Sequence, residues 1–263
     1  MRVIIVAAGQ GTRLRPLTDD RPKCMVEVGG RTLLDWQIDA ICAAGLRPPV
    51  VVGGHRADQL PSDRVRVLMN PDHATTNMVH TLFCAEEEFG EGFVLAYGDI
   101  AYAPAVLRQL VSDPAPVGVV VDREWRRYWE RRFDDPLGDA ESLRVGAGGL
   151  VDSIGQREAN IERIEAQYIG LVAFKGEGVV ALRRGFAQAA DDERAGRTPF
   201  NCGRSLAKMY MTDLLQGLVS LGVPVTAVPI HGGWIEVDSH RDLAIASELI
   251  AGGRLNSSST SAC

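Results

Sequence analysis

An α/β fold is predicted for this chain, with a Rossmann-like, mostly parallel central sheet and helices on both faces. Three observations carry that expectation. Short continuous apolar runs at residues 2–6, 49–53, 93–96 and 117–122 have the length of strands buried on both faces. Segments with apolar residues three and four apart alternate with them, as crossover helices would. A turn containing Gly9 and Gly11 closes the first run, and ligands of such sheets bind at the carboxyl ends of strands.

In chain order, the first strand covers residues 2–6. A helix is expected over 32–44, with Leu33, Leu34, Ile38 and Ile41 on one face and Gly45 as its stop. Strands follow at 49–53 and 65–69, and residues 70–76 have turn chemistry. Thr76 or Asn77 can cap a helix carrying Met78, Leu82, Ala85 and Phe89. The strand at 93–96 ends in Tyr97-Gly98-Asp99, and another runs over 117–122. Residues 123–132 form a charged, aromatic run that leads into a Gly- and Asp-rich stretch and then strand-like pieces at 150–154 and 161–174. We read 123–174 as a small lid or insertion on the core. Helices at 177–193 and 205–221, a strand at 223–230 and a helix at 239–250 complete one domain over 1–250, and the Ser-rich tail 251–263 is expected to be disordered.

Composition narrows the function classes. At 263 residues with 46% hydrophobic content, the chain suffices for one large globular domain. A net charge of -6 argues against a nucleic-acid surface, so an anionic ligand would need a local basic pocket. No apolar run has membrane-spanning length, the N-terminus enters a strand directly, and the five scattered cysteines form neither a zinc pattern nor a disulfide framework. A cytoplasmic protein follows, with homo-oligomerisation left open.

The strongest signal is Val3-Ile4-Ile5-Val6-Ala7-Ala8-Gly9-Gln10-Gly11-Thr12-Arg13, closed by Arg21-Pro22-Lys23. Glycines allow close approach of backbone N–H groups, and an Arg and a Lys suit a polyphosphate. A P-loop spacing is absent, and the third glycine of a dinucleotide fingerprint is replaced by Leu14. The pattern Gly-x-Gly-Thr-Arg followed by Pro-Lys resembles the nucleotidyltransferase family of sugar-nucleotide pyrophosphorylases over residues 1–250. An ordinary Gly-rich turn is the alternative.

That resemblance implies nucleotide contacts from Ala7, Ala8, Gly9, Gly11, Thr12, Arg13, Asn77, Thr81 and Gly98, with Arg13 and Lys23 as the catalytic cations. Asp99 and Asp238, at two expected strand ends, suit Mg2+, which takes oxygen ligands and bridges phosphates. The resemblance gives the same metal ligands, with Glu236 as a further candidate; helix or turn capping is the other reading of each Asp. An acceptor phosphate or phosphonate is already ionised near neutral pH, so positioning and charge neutralisation suffice.

The Glu-Lys-Pro segment of hexose-1-phosphate members is missing around Glu165. Asn77-Met78-Val79-His80-Thr81-Leu82 resembles instead the small branch that activates phosphocholine or related phosphate and phosphonate compounds with CTP. Asn77 as a plain helix cap remains open. Trp125, Trp129, Arg131, Glu165, Tyr168 and Trp234 are the acceptor-side candidates, with core packing as the alternative for the rings. Arg127, Arg131 and Arg132 would suit an anionic acceptor or form a solvated face. His80 and His231 lack catalytic partners in the pattern, and Cys24 lacks a base. The expected reaction is transfer of CMP from CTP to a small anionic acceptor. The alternatives are a hexose-1-phosphate uridylyl- or thymidylyltransferase and a non-catalytic nucleotide-sensing module.

Overall fold

The computed structural model describes residues 1–255. The chain opens with β1 (Arg2–Ala7), then passes through a loop and the two-residue strands β2 (Glu27–Val28) and β3 (Arg31–Thr32) into α1 (Leu33–Ala43). β4 (Arg47–Gly53), β5 (Arg66–Met69), α2 (Met78–Phe83) and β6 (Gly92–Tyr97) follow. Next come β7 (Ile100–Tyr102), α3 (Pro104–Ser112), β8 (Val117–Asp122), α4 (Trp125–Arg132), β9 (Glu141–Val145) and β10 (Val151–Arg157). The chain ends with β11 (Gln167–Lys175), α5 (Glu177–Arg194), α6 (Met211–Ser220), β12 (Thr226–Ile230), β13 (Trp234–Glu236) and α7 (His240–Ala251).

Seven strands form the central sheet in the order β12-β8-β11-β6-β1-β4-β5. All run parallel except β11, which is antiparallel to both neighbours. Alternate residues of β1 serve the two faces, as the two-residue strand period requires. Val3 and Ile5 join one core with Leu34, Ile38 and Ile41 of α1 and with Val106, Leu107 and Leu110 of α3. Ile4 and Val6 join the other with Val79 and Leu82 of α2, Leu182 of α5 and Leu214 and Leu218 of α6. Burial on both faces explains the unbroken apolar runs.

Several expectations shift at element ends. Helix α1 starts after Thr32, whose hydroxyl accepts from the Asp35 amide while Asp35 accepts in return, a reciprocal cap. Helix α2 stops at Phe83 and tightens into a 3-10 turn over Glu86–Glu88, yet Ala85 and Phe89 stay buried, so the periodicity served packing and not helix length. The helix expected over 205–221 begins only at Met211, where the Asp213 carboxylate caps the Tyr210 amide at 2.9 Å. Helix α3 and strand β9 were not anticipated, although Pro104 sits at a favoured first-turn position.

The 123–174 insertion needs correction at its far end. Its last strand begins at Gln167 and is built into the central sheet between β6 and β8. The elaboration is therefore α4 with the β9–β10 hairpin. The disordered-tail expectation is also revised in part: residues 252–255 turn back through hydrogen bonds from Gly252 to Glu248 and Arg254 to Leu249, and Leu255 is buried. The rest of that expectation, 256–263, lies outside the described residues. Cys24, Cys84 and Cys202 are free thiols, whereas Cys42 is disulfide-bonded, which corrects the expectation that the scattered cysteines form no disulfide. Among the described residues no helix is long and apolar enough to cross a membrane.

Strand β11 bulges between Tyr168 and Val172, with Gly170 at φ +83°. A Cβ there would lie 2.6 Å from the Tyr97 ring, so both the backbone angle and the space demand glycine. Gly170→Ala is expected to lower unfolding free energy by about 2–4 kcal/mol, combining positive-φ strain with the displaced ring. Urea denaturation with a change under about 0.5 kcal/mol would show that the strand re-registers freely.

Candidate active site

The loop after β1 is shaped by Gly11, which adopts φ +61°. A Cβ at this position would sit 3.0 Å from Thr18 Cγ2 and 3.3 Å from Lys23 Cβ. Glycine therefore lets the loop lie against the Lys23 stem, and the Thr18 hydroxyl ties the turn by donating to the Gly11 carbonyl at 2.8 Å. Gly98 has the same function on the neighbouring strand, since a Cβ would approach Ala7 Cβ to 2.8 Å. Arg13 then leaves a 3-10 turn over Thr12–Leu14 and points back across the cavity to Asp238, 2.5 Å away.

Asp99 and Asp238 are brought together by a small antiparallel pair, β7 with β13, in which Glu236 faces Ile100. The Val237 amide continues that pairing to the Asp99 carbonyl at 3.0 Å. The register leaves Asp99, Glu236 and Asp238 at one end, with one oxygen of each within 4.8 Å of the others. Lys23 enters this cluster. Its ammonium donates to Asp99 Oδ2 at 2.7 Å and to Asp238 Oδ1. The other Asp99 oxygen, Oδ1, is buried without a hydrogen-bond partner among the described residues. An orphaned carboxylate oxygen in a three-carboxylate cluster is the donor set a hard divalent cation takes, so these residues fit a metal.

Glu236 is held from behind. Arg132, whose side chain is 0% exposed, donates to Glu236 Oε2 at 2.5 Å and to Asp242 Oδ1 at 2.8 Å. Burial pushes the Glu236 carboxyl up and Arg132 pulls it back down, while Asp99 nearby raises it further. For Arg132 burial acts to weaken the charge, but Glu236 and Asp242 outweigh it and keep the guanidinium protonated. Its guanidinium also lies over the rings of Trp129 (5.0 Å), Phe133 (5.0 Å) and Tyr128 (5.4 Å).

Arg13, Lys23, Asp99, Glu236 and Asp238 line one cavity of about 500 Å³. Every expected nucleotide-side residue lines it: Ala7, Ala8, Gly9, Gly11, Thr12, Arg13, Asn77, Thr81 and Gly98. Asn77 is at once the cap of α2, accepting from the Met78 amide at 2.9 Å. Thr81 is fixed by Asn70, whose amide donates to its hydroxyl at 2.9 Å. Lys23, Asp99, Asp238, Trp129 and Tyr168 line the cavity as well.

Four acceptor-side expectations do not hold. Trp125 is buried edge-to-face against Trp129, and Trp234 is 1% exposed with its indole N–H given to Asp122 Oδ2 at 2.8 Å. Arg131 reaches Glu248 on α7 at 2.7 Å, and Glu165 lies on the exposed surface; none of the four lines the cavity. A cation does lie against rings of this region, but it is the chain's own Arg132, over Tyr128, Trp129 and Phe133. The arginine run supplies no cation to the cavity, because Arg127 is exposed and Arg132 is enclosed. Cys24 is buried and its thiol is pushed up to about 12, which fits the absence of a base.

Sequence reading missed Asp139, Glu141, Gln167, Tyr210 and Thr212, which also line the cavity. They come from a turn, β9, β11 and the start of α6, so no local motif joins them. Tyr97, next to Gly98, could have been inferred from its neighbour.

The comparisons with known proteins are in keeping with this geometry. A family described as the MobA-like NTP transferase domain matches residues 3–193. A CTP:phosphoglutamine cytidylyltransferase of Campylobacter jejuni is 35% identical, with the alignment covering 94% of this chain and 100% of that protein. A choline-phosphate cytidylyltransferase of Streptococcus pneumoniae is 32% identical over 36% of this chain and 43% of its own length. In structure, a CTP:phosphocholine cytidylyltransferase from Streptococcus pneumoniae superposes with a TM-score of 0.71, covering 95% of this chain and 98% of that one, at 20% identity.

Lys23 and a divalent cation would compete for the same carboxylates. Without nucleotide, Lys23→Met is expected to bind Mn2+ about tenfold more tightly than the parent, since a charged hydrogen bond of about 1.5–3 kcal/mol no longer opposes it. Paramagnetic titration giving equal affinities would place the lysine outside the cluster in solution. Arg132→Met should cost about 3–5 kcal/mol in urea denaturation, because it leaves two carboxylates facing a buried space without their cation. A loss below about 1 kcal/mol would mean that the triad is not dry.

Proposed function

The chain belongs to the MobA-like NTP transferase domain family, and on that premise we propose a magnesium-dependent cytidylyltransferase that moves CMP from CTP to a small phosphorylated or phosphonate acceptor. The observation that carries this reading is full-length similarity to a CTP-dependent enzyme whose acceptor, phosphoglutamine, is small and phosphorylated. The convergence of Arg13, Lys23 and three carboxylates in one cavity supports it.

An acceptor oxygen attacks the α-phosphorus of CTP, forming one P–O bond. The bond from that phosphorus to the oxygen bridging the β-phosphate breaks, and pyrophosphate departs with the electron pair. The loop over Gly9, Gly11 and Thr12 presents backbone amides and Arg13 to the β- and γ-phosphates, where negative charge grows. Lys23 exchanges its carboxylate partners for the α-phosphate and the acceptor phosphate, holding two anions at reacting distance. Asp99 and Asp238, with Glu236 beside them, would hold Mg2+, which supplies charge neutralisation and a template for the phosphates. Asn77 and Thr81 line the cavity and would meet the base and ribose. No side chain needs to take a proton, because the acceptor is already an anion.

Pyrophosphate release should be measured with Mg2+ across CTP, UTP and dTTP. The acceptors are phosphoglutamine, phosphocholine, 2-aminoethylphosphonate and glucose-1-phosphate. Turnover is expected with CTP and a small acceptor. Lys23→Ala and Asp99→Ala should each lower kcat by about a hundred- to a thousandfold, the usual effect of removing one transition-state charge partner. Turnover confined to UTP or dTTP with glucose-1-phosphate would replace this reading by a hexose-1-phosphate enzyme. Nucleotide binding without any turnover would make it a sensing module.

A further inference from the structure

We infer that the acceptor carries a cationic nitrogen and that Glu141 selects it, with Asp139 beside it; this rests on the cytidylyltransferase reading above. The charge count of the cavity is the first observation. Five carboxylates line it (Asp99, Asp139, Glu141, Glu236 and Asp238) against two permanent cations, Arg13 and Lys23. Three of the five have their own cations: Lys23 serves Asp99, Lys23 and Arg13 serve Asp238, and Arg132 serves Glu236. Asp139 instead takes the Trp129 indole N–H at 3.0 Å. Glu141 has no ion pair among the described residues, since Arg204 nearby is committed to Asp213 at 2.9 Å.

A half-buried carboxylate without a cation is costly, and the chain shows that cost. Burial pushes the Glu141 carboxyl up, the Thr212 hydroxyl pulls it back in part, and Asp213 and Asp139 raise it again against a smaller pull from Arg204. The position is nevertheless fixed by structure, because the Glu141 amide donates to the Gln167 side-chain carbonyl at 3.2 Å and the Gln167 amide group returns to the Glu141 carbonyl at 2.6 Å. Trp129, Tyr168 and Tyr210 line the same cavity, and aromatic rings attract cations. Among the described residues Arg13 and Lys23 are the only arginine or lysine side chains that line the cavity, and both are engaged by Asp99 and Asp238. One acceptor can therefore place its phosphate or phosphonate at Lys23 and its nitrogen between Glu141 and the rings.

Three matched acceptor pairs test this in the intact enzyme with CTP and Mg2+. They are phosphocholine against 3,3-dimethylbutyl phosphate, phosphoethanolamine against propyl phosphate, and phosphoglutamine against its des-amino counterpart. In at least one pair the cationic member is expected to have a kcat/KM at least about tenfold higher, with the difference mainly in KM. Glu141→Gln should reduce that ratio to within about twofold, chiefly by raising KM for the cationic member. Asp139→Asn provides a second variant if circular dichroism shows that Glu141→Gln fails to fold. CTP-dependent turnover with equal use of both members, or a preference that survives both substitutions, overturns the inference and leaves the cytidylyltransferase reading standing. Absence of any CTP-dependent turnover defeats that reading instead. Tryptophan fluorescence titration with the same six compounds, assigned by Trp129→Phe, then decides the subsite, and non-selective binding overturns it.

Discussion

Three carboxylates confined to one wall of a cavity repel each other, and the structure depends on how that repulsion is relieved. Lys23 and Arg13 relieve it from the nucleotide side, and Arg132 relieves it from the interior. The two kinds of cation differ in what they can do. Arg132 is enclosed by rings and by Asp242, so it fixes Glu236 permanently. Arg13 is 62% exposed on its side chain, and Lys23 reaches the cluster from outside the aromatic layer, so neither is enclosed as Arg132 is. An exposed ion pair contributes little to stability, which leaves Arg13 at low cost to move.

The sheet makes this possible through one strand pair outside it. β7 follows the end of β6 directly, and β13 precedes α7 near the end of the described chain, yet the two pair antiparallel. Their register delivers Asp99 and Asp238 to the same rim where β1 releases the glycine loop. Ser239 caps α7 by accepting from Asp242, and Asp242 in turn accepts from the Asp238 amide at 3.1 Å. The helix start, the Arg132 triad and the candidate metal ligand are thus one hydrogen-bonded unit.

The aromatic run shows how a single composition can satisfy two purposes. Trp125, Tyr128, Trp129 and Trp234 pack together as a core wedge between α4 and the β7–β13 pair. Only Trp129 also faces the cavity. Burying Arg132 among these rings is tolerable because two carboxylates and three ring faces replace its water. The rings that do border the cavity then meet Asp139 and Glu141, which gives the cavity a polarity opposite to the one the arginine-rich sequence suggests.

The sequence by itself determined the alternating α/β layout, the strand cores at residues 3–6, 50–52 and 117–122, and the Gly11, Arg13 and Lys23 loop. These are local properties: periodicity follows from backbone geometry, and a phosphate loop needs contiguous glycines and nearby cations. It also indicated Asp99 and Asp238, because each closes an apolar run. Only the tertiary structure decided that β11 runs antiparallel within the sheet, that Arg132 lies over Tyr128, Trp129 and Phe133, and that Glu141 lines the cavity with no ion pair among the described residues. Those facts depend on which distant segments meet. Glu141 and Thr212, or Arg132 and Glu236, are joined by sheet order and helix docking, and no spacing along the chain records such a meeting.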